Sequence, residues 1–569
     1  MILVPAETID DYVRRGWWGE TTIGELFIDT ALRRGDAFAV ADPPDLESIS
    51  GEAPRRWSWA ELLRETGRVC AWLNDCGLRK DDVIVVQLPN GVDLHAIYLA
   101  CAISGVVISP VPVQYRAHEL AHVVETTGAR LAITCDRVGR HPAAQHWAEH
   151  RGALRSIEQL WAFGDAKTPP VQGLRRTLDQ TTPWGASEMR ARMRDIGLSA
   201  HDVLTICWTS GTEARSKGVP RNHNEWMIVG HSVIDAAQLA PGSQMVIPFP
   251  FVNMAGVSTS LMGWLLLGGG LHHHHPFNLE VFVAQLRDQP CDYTVAAPAL
   301  LAMLLKQPQL MDGVDLSRLR TIGSGGAPLA DWLVEQFYER FGIELINYFG
   351  SNEGASLSSS PRDVPDRRQR ARFFPRVGVS EHDWGAINSK KIQTRLIDLD
   401  TGLDITEPGR VGELRFKGPT IFSGYYRAPE LTAAAFDQQG FYRTGDLFAI
   451  DGERGQFYRF VGRHKDIVIR GGINISAEEV EALLLGHPKV REAAVIGIPD
   501  PVMGERVCAV IAPQSGQTIG LDELVDHLRR VEEVAAFKWP ERLEIVEALP
   551  RNPVGKVLKR ELRARFAKD

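Results

Sequence analysis

Cysteine is scarce and scattered in this chain. Its seven residues, Cys70, Cys76, Cys101, Cys135, Cys207, Cys291 and Cys508, are odd in number and never form a C-x-x-C pair. That leaves neither a disulfide framework nor a cysteine zinc site, and a reducing compartment is expected. A surplus of positive charge is also missing. Lys and Arg total 63 against 71 Asp and Glu, a formal net charge of −8. Nucleic acid and anionic membrane are therefore not expected as partners, and any anionic ligand must be held locally. Long apolar runs are absent: the least polar stretches, 96–113 and 257–271, are broken by Ser, Pro, Gly or His. They are expected as buried strands and helices, not membrane spans. Residues Met1–Asp11 carry acid within ten positions and lack the basic and apolar regions of a secretory signal, so the expected location is cytoplasmic. No internal repeat or low-complexity tract stands out apart from His272–His275.

What is present is globular composition on a long chain. With 569 residues, 44 % hydrophobic and 24 % charged, the sequence has room for about two to four domains and excludes a disordered tail or a fibre. From Asp82 to Glu353, short β-branched runs such as Val83–Gln87, Leu131–Cys135 and Val203–Trp208 alternate with segments of helical length, the pattern of parallel strands joined by crossover helices. Beyond Glu353, the stretches 391–399, 412–417, 440–451 and 456–461 read as consecutive antiparallel strands. Near Gly462 the pattern changes again. Ser476 with Glu479 forms a capping box ahead of a helix, and strands and helices then alternate in an α+β unit of about a hundred residues. The fold class expected is α/β: a large N-terminal domain of mixed βαβ sheets with a β-rich subdomain, residues 1–463, and a small mobile α+β C-terminal domain, residues 464–569.

The sharpest local signal is Thr209-Ser-Gly-Thr-Glu-Ala-Arg-Ser-Lys-Gly218, between the apolar strand Val203–Trp208 and a helical segment. Small hydroxyl residues and glycines let consecutive backbone N–H groups converge on an anion, and the terminal Lys adds a point charge. Taken alone such a segment is more often a plain loop than a nucleotide site, and it is not a Walker A sequence. Further along stand Gly323-Ser-Gly-Gly-Ala-Pro328, Asn347-Tyr-Phe-Gly-Ser-Asn-Glu353, Tyr442-Arg-Thr-Gly-Asp446, Gly462-Arg-His-Lys-Asp466 with Arg470-Gly-Gly472, and Asn552-Pro-Val-Gly-Lys556.

Six such segments, in this order and spread over almost the whole chain, resemble the motifs of the adenylate-forming superfamily, which includes acyl- and aryl-CoA ligases, nonribosomal-peptide adenylation domains and luciferases. The resemblance implies an ATP-dependent, AMP-forming carboxylic acid:CoA ligase that works through an acyl-adenylate and releases pyrophosphate. It places Thr209, Ser210, Gly211, Thr212 and Lys217 at the phosphates. Backbone at Gly325, Gly326 and Ala327 would lie on the adenine, against which Tyr348 would stack. Asn347, Phe349, Gly350 and Ser351 complete that nucleotide wall. Glu353 is implied as the Mg²⁺ ligand and Asp446 as the ribose acceptor, with Arg463 as a second nucleotide contact.

Lys465 would be the hinge about which the C-terminal domain rotates, and Gly471 and Gly472 would border a thiol tunnel. Lys556 is implied as the catalytic cation, bridging carboxylate and α-phosphate where charge accumulates. For the acid, the segment Pro250-Phe-Val-Asn-Met-Ala-Gly256 proposes Asn253 and Gly256, and His223 is a further flank. The implied cofactors are ATP, Mg²⁺ and CoA or carrier-protein phosphopantetheine. A monomer or a homodimer is compatible with the sequence.

Departures from the pattern are confined. Glu213-Ala-Arg-Ser216 replaces T-G-x-P in the phosphate loop, and Asn352 replaces a common Thr. Alternatives are an aryl-acid enzyme loading a carrier protein, an amide synthetase with an amine acceptor, and an idle binding protein on the same scaffold. Retention of Glu353, Asp446, Arg463 and Lys556 argues against the last. The run His272–His275 is a candidate metal site, but side chains alternate along a strand and no Cys or carboxylate pattern accompanies it.

Overall fold

A computed structural model describes residues 1–164, 168–209, 216–463, 466–470, 473–530, 534–552 and 555–567. The expected alternation of strands and helices is present, but two sheets share it. One has seven strands in the spatial order 172–173, 159–163, 131–135, 83–86, 107–110, 203–208, 218–222. Its last two members, β1 (Val203–Trp208) and β2 (Gly218–Asn222), pair antiparallel. The phosphate-loop segment therefore joins two strands, where a strand-to-helix turn is expected from sequence. Helix α1 (His223–Ala237) begins only after β2. Asn222 caps it, accepting from Glu225 N at 2.8 Å while its own N–H donates to the Glu225 carboxylate at 2.9 Å.

The second sheet has eight strands, and β3 (Gly270–His273) lies in it between Gln244–Ile247 and Phe38–Ala41. Helix α2 (Pro298–Lys306) opens on Pro298, where the missing N–H costs nothing. It leads to the parallel neighbours β4 (Thr321–Gly325) and β5 (Glu344–Gly350). Helices packed between the two sheets close one apolar core that contains Trp59, Trp226 and Trp264. Helix Val92–Ser104 has a continuous buried run from Leu94 to Ser104, as a helix covered on all sides must.

Strands 373–375, 393–397, 411–417, β6 (Tyr442–Asp451) and β7 (Phe457–Arg463) build the antiparallel sheet anticipated after Glu353. The C-terminal unit has its own five-stranded sheet and the helix α3 (Ala477–Leu485), which Ser476 caps through Glu479 N at 3.1 Å. Among the described residues no helix is long and apolar enough to cross a membrane.

Candidate active site

The two sheets, the antiparallel sheet and the C-terminal unit together enclose a cavity of about 2100 Å³. Thr209 and Lys217 stand at the base of the phosphate loop: Thr209 N–H donates to Lys217 O at 3.0 Å, and Lys217 N–H donates to Thr209 Oγ1 at 3.0 Å. Ser210, Gly211 and Thr212 lie outside the described residues, as do Lys465, Gly471 and Gly472. The Lys217 ammonium sits 5.1 Å from the centre of the Tyr425 ring, and the Tyr425 hydroxyl donates to Glu353 Oε1 at 2.9 Å. A cation at the end of the loop and a buried carboxylate thus meet on one tyrosine.

Asn352, noted in the sequence only as a departure from a common Thr, and Arg221, given no role there, organise this wall. Asn352 Nδ2 donates to Trp208 O at 3.0 Å, while its Oδ1 accepts from Met254 N at 2.8 Å. It ties the end of β1 to the start of the 254–256 helical turn. Arg221 on β2 is wholly buried and donates to Asn352 O at 3.1 Å, Glu225 O at 3.1 Å and Thr420 O at 3.0 Å. Gly354 is required beside it, because a Cβ there would lie 1.8 Å from Thr420 O at φ +101°. The Ser351 hydroxyl, also in this loop, is buried and has no partner among the described residues.

Along β5 only alternate side chains face the cavity. Tyr348 lies across β4: a Cβ on Gly323 would fall 2.7 Å from its ring, and one on Gly325 would fall 2.8 Å from its carbonyl oxygen. Its neighbours are committed elsewhere. Asn347 Nδ2 donates to Ala371 O at 2.9 Å, and the Phe349 ring packs 5.1 Å from that of Phe448. Asn347 and Phe349 nevertheless line the cavity beside Tyr348. Gly325, Gly326, Ala327 and Gly350 line the cavity with main chain.

Opposite them, Asp446 and Arg463 face each other on β6 and β7. Arg463 Nε is 3.1 Å from Asp446 Oδ1. Burial pushes the Asp446 carboxyl up to about 6, against the pull of the Arg463 guanidinium and then of Lys556. Lys556 thus sits close enough to be felt at Asp446; at Asp466, burial is outweighed chiefly by Lys559 and Arg563, with a smaller pull from Lys556. It is presented by a tight turn in which Lys556 N–H donates to Asn552 Oδ1 at 2.7 Å and Asn552 N–H donates to Lys556 O at 2.8 Å. Gly555 in that turn has φ +85°, a conformation that suits glycine.

Two of the acid-pocket residues need correction. His223 lies outside the cavity: its Nδ1 accepts from Ile23 N at 3.1 Å, and complete burial pulls its imidazole down to about 4. Gly256 does not line the cavity either; a Cβ there would fall 1.9 Å from Pro250 O, so it is needed for close packing. Asn253 does reach the cavity wall, with Oδ1 occupied in capping through Gly256 N at 3.1 Å.

The histidine run resolves into separate contacts. His273 Nε2 meets His95 Nδ1 at 3.3 Å, His274 Nδ1 meets Gln285 at 2.7 Å, and His275 Nδ1 accepts from Asn90 N at 3.3 Å. Burial holds His273 down at about 3 and His275 at about 4. Among the described residues no cluster of three or more His, Cys, Asp or Glu has the form of a metal site.

An α/β body and a smaller α+β unit that bring phosphate-loop ends, a buried carboxylate pair of walls and a lysine turn to one cleft define an enzyme that works on a nucleotide. The chain belongs to the AMP-binding enzyme family, which matches residues 29–426, and the AMP-binding enzyme C-terminal domain matches residues 479–556. It is an ATP-dependent, adenylate-forming ligase. Over 99 % of this chain and 96 % of the relative it is 29 % identical to the pyochelin synthase PchD of Pseudomonas aeruginosa (strain UCBPP-PA14). It is 28 % identical to the medium-chain fatty-acid–CoA ligase of Escherichia coli (strain K12), over 98 % of this chain and 93 % of that protein. The anthranilate CoA ligase AuaEII, solved with anthranoyl-AMP, shares the fold with TM-score 0.80 and 20 % identity over 96 % of this chain and 97 % of that one.

Proposed function

We propose that this protein is a carboxylic acid:CoA ligase. In the first half-reaction a carboxylate oxygen bonds to the α-phosphorus of ATP and the bond to the pyrophosphate oxygen breaks. In the second, a thiolate sulfur bonds to the acyl carbon and AMP leaves with the electron pair of the acyl–oxygen bond. The observation that carries the reading is the meeting of Lys556 from the C-terminal unit with Asp446, Arg463 and Glu353 in one cavity.

Asp446 would accept the ribose hydroxyls, which a carboxylate does with two oxygens. Tyr348 would stack on the adenine held against Gly325–Ala327. Lys217 and the 210–215 loop would bind the β- and γ-phosphates. Glu353, a hard oxygen donor on the cavity wall, suits Mg²⁺, which would neutralise phosphate charge when bound. Lys556 would stand between two anions that must approach, where a fixed cation is worth most. The acid would lie along Asn253 and α1.

The chain would divide at 463/464 into an adenylation domain and a mobile domain turning about Lys465, so that thiol enters beside Gly471 and Gly472. The sequence Arg470-Gly-Gly-Ile-Asn-Ile-Ser476 and the likeness to a fatty-acid–CoA ligase favour CoA as acceptor. The test is a panel of fatty, alicyclic, benzoic and cinnamic acids with ATP, scored for AMP with CoA, hydroxylamine or an amine as acceptor. Acid-dependent AMP and a CoA thioester are expected; acyl transfer to amine or hydroxylamine but not to CoA would overturn the acceptor.

A further inference from the structure

Lys306 is the last residue of α2, on the large body, yet its polar partners are on the C-terminal unit. Its ammonium donates to three main-chain oxygens there: Leu485 at 2.6 Å, His487 at 3.0 Å and Val490 at 2.9 Å. Leu485 ends α3, and the final carbonyls of a helix have no partner within it. The usual remedy, a residue in the left-handed conformation, is not used, since Gly486 has φ −64°. Gly486 and His487 N–H groups turn back to Leu483 and Leu484, and the Leu485 oxygen goes to Lys306. A cation at that end also meets the negative pole of the helix dipole. Ala482 of α3 packs on the apolar cluster that holds Leu301 and Leu305 of α2. Burial accordingly draws the Lys306 ammonium down to about 8.

We propose that Lys306 is a positioning residue that latches the C-terminal unit in the orientation that brings Lys556 into the nucleotide cavity. This rests on the adenylation reading above. Three hydrogen bonds from one charged donor to main-chain acceptors are strong when made together, and all three break when the unit rotates away. The latch favours the first half-reaction, and its release belongs to the passage to the second.

The experiment compares wild type, Lys306→Met and Lys306→Arg in the full chain. Met keeps the aliphatic stem without donors; Arg keeps a charged donor able to reach several carbonyls. Hydrogen–deuterium exchange over 483–490 is expected to rise about tenfold or more in Lys306→Met and to return toward wild type in Lys306→Arg. With an acid that wild type accepts, ATP–pyrophosphate exchange is expected to fall about fivefold in maximal rate, with KM for ATP changed by less than about twofold. Unchanged amide exchange in Lys306→Met overturns the latch, as does a loss of activity with the 483–490 amides still protected. Should wild type show no acid-dependent pyrophosphate exchange, the adenylation reading fails, while the amide exchange still decides whether Lys306 holds the two units together.

Discussion

Asp446 and Arg463 are cross-strand partners whose side chains join at 3.1 Å inside the cleft, and the acid of the pair is the one that burial makes hard to ionise. In the proposed ribose-binding role, Asp446 would use both oxygens as acceptors, which needs the ionised carboxylate. Its value of about 6 sets the sign: above it the free enzyme is ready for ATP, and below it the carboxyl is protonated. The apparent KM for ATP is expected to be flat above about pH 7 and to climb about tenfold per unit as pH falls below the transition. Initial rates of pyrophosphate exchange between pH 5 and 8 measure this, and Asp446→Asn should remove the inflection and raise KM at pH 8.

Lys556→Ala separates two roles of one residue. Loss of a cation placed at developing charge costs about 10²- to 10³-fold, so acid-dependent ATP–pyrophosphate exchange should drop by that amount. Consumption of a synthetic acyl-adenylate should change by less than about fivefold, since that step needs no contact between carboxylate and ATP. Equal loss in both assays would mark the residue as structural.

Glu353 is held by the Tyr425 hydroxyl, which orients one carboxylate oxygen. Tyr425→Phe should raise the Mg²⁺ concentration for half-maximal exchange about three- to tenfold, at nearly unchanged maximal rate. Glu353→Gln should lower the maximal rate itself by about 10²-fold. A titration with Mg²⁺ at saturating ATP distinguishes the two patterns.

Asn352 connects β1 and the 254–256 turn through one amide. Asn352→Ala leaves Trp208 O and Met254 N without that bridge; both bonds are only partly buried, so each loss costs about 1 kcal/mol. KM values for acid and ATP should therefore rise together. A change confined to one substrate would show that Asn352 serves only that side of the cavity.

Much of the fold was legible because short buried runs have a strong local signature. Leu131–Cys135 and Val203–Trp208 occur with the expected boundaries, each buried along its length. Their distribution between two sheets was not legible, because neighbouring strands in space, such as 107–110 and 203–208, lie far apart in the chain. Strand β2 reads as loop: Gly218, Pro220 and Asn222 are poor strand formers, and two of the carbonyls that hold its Arg221, Asn352 O and Thr420 O, lie far along the chain. At the site, the motifs located Glu353, Asp446, Arg463 and Lys556, which line one cavity. They could not show that the Asn347 amide is tied to Ala371 O or that the Phe349 ring packs on Phe448, since those partners are set by tertiary packing. His223 was misplaced for a related reason: its buried bond to Ile23 N spans two hundred positions, and no local pattern records it.

The central claim is that a carboxyl group is activated by bonding to the α-phosphorus of ATP in this cleft. Turnover with an accepted acid carrying ¹⁸O in both carboxyl oxygens, followed by mass spectrometry of the nucleotide and phosphate products, tests it directly. Transfer of one ¹⁸O into AMP, with pyrophosphate unlabelled, is the expected result; label in inorganic phosphate with ADP as the nucleotide product would contradict it.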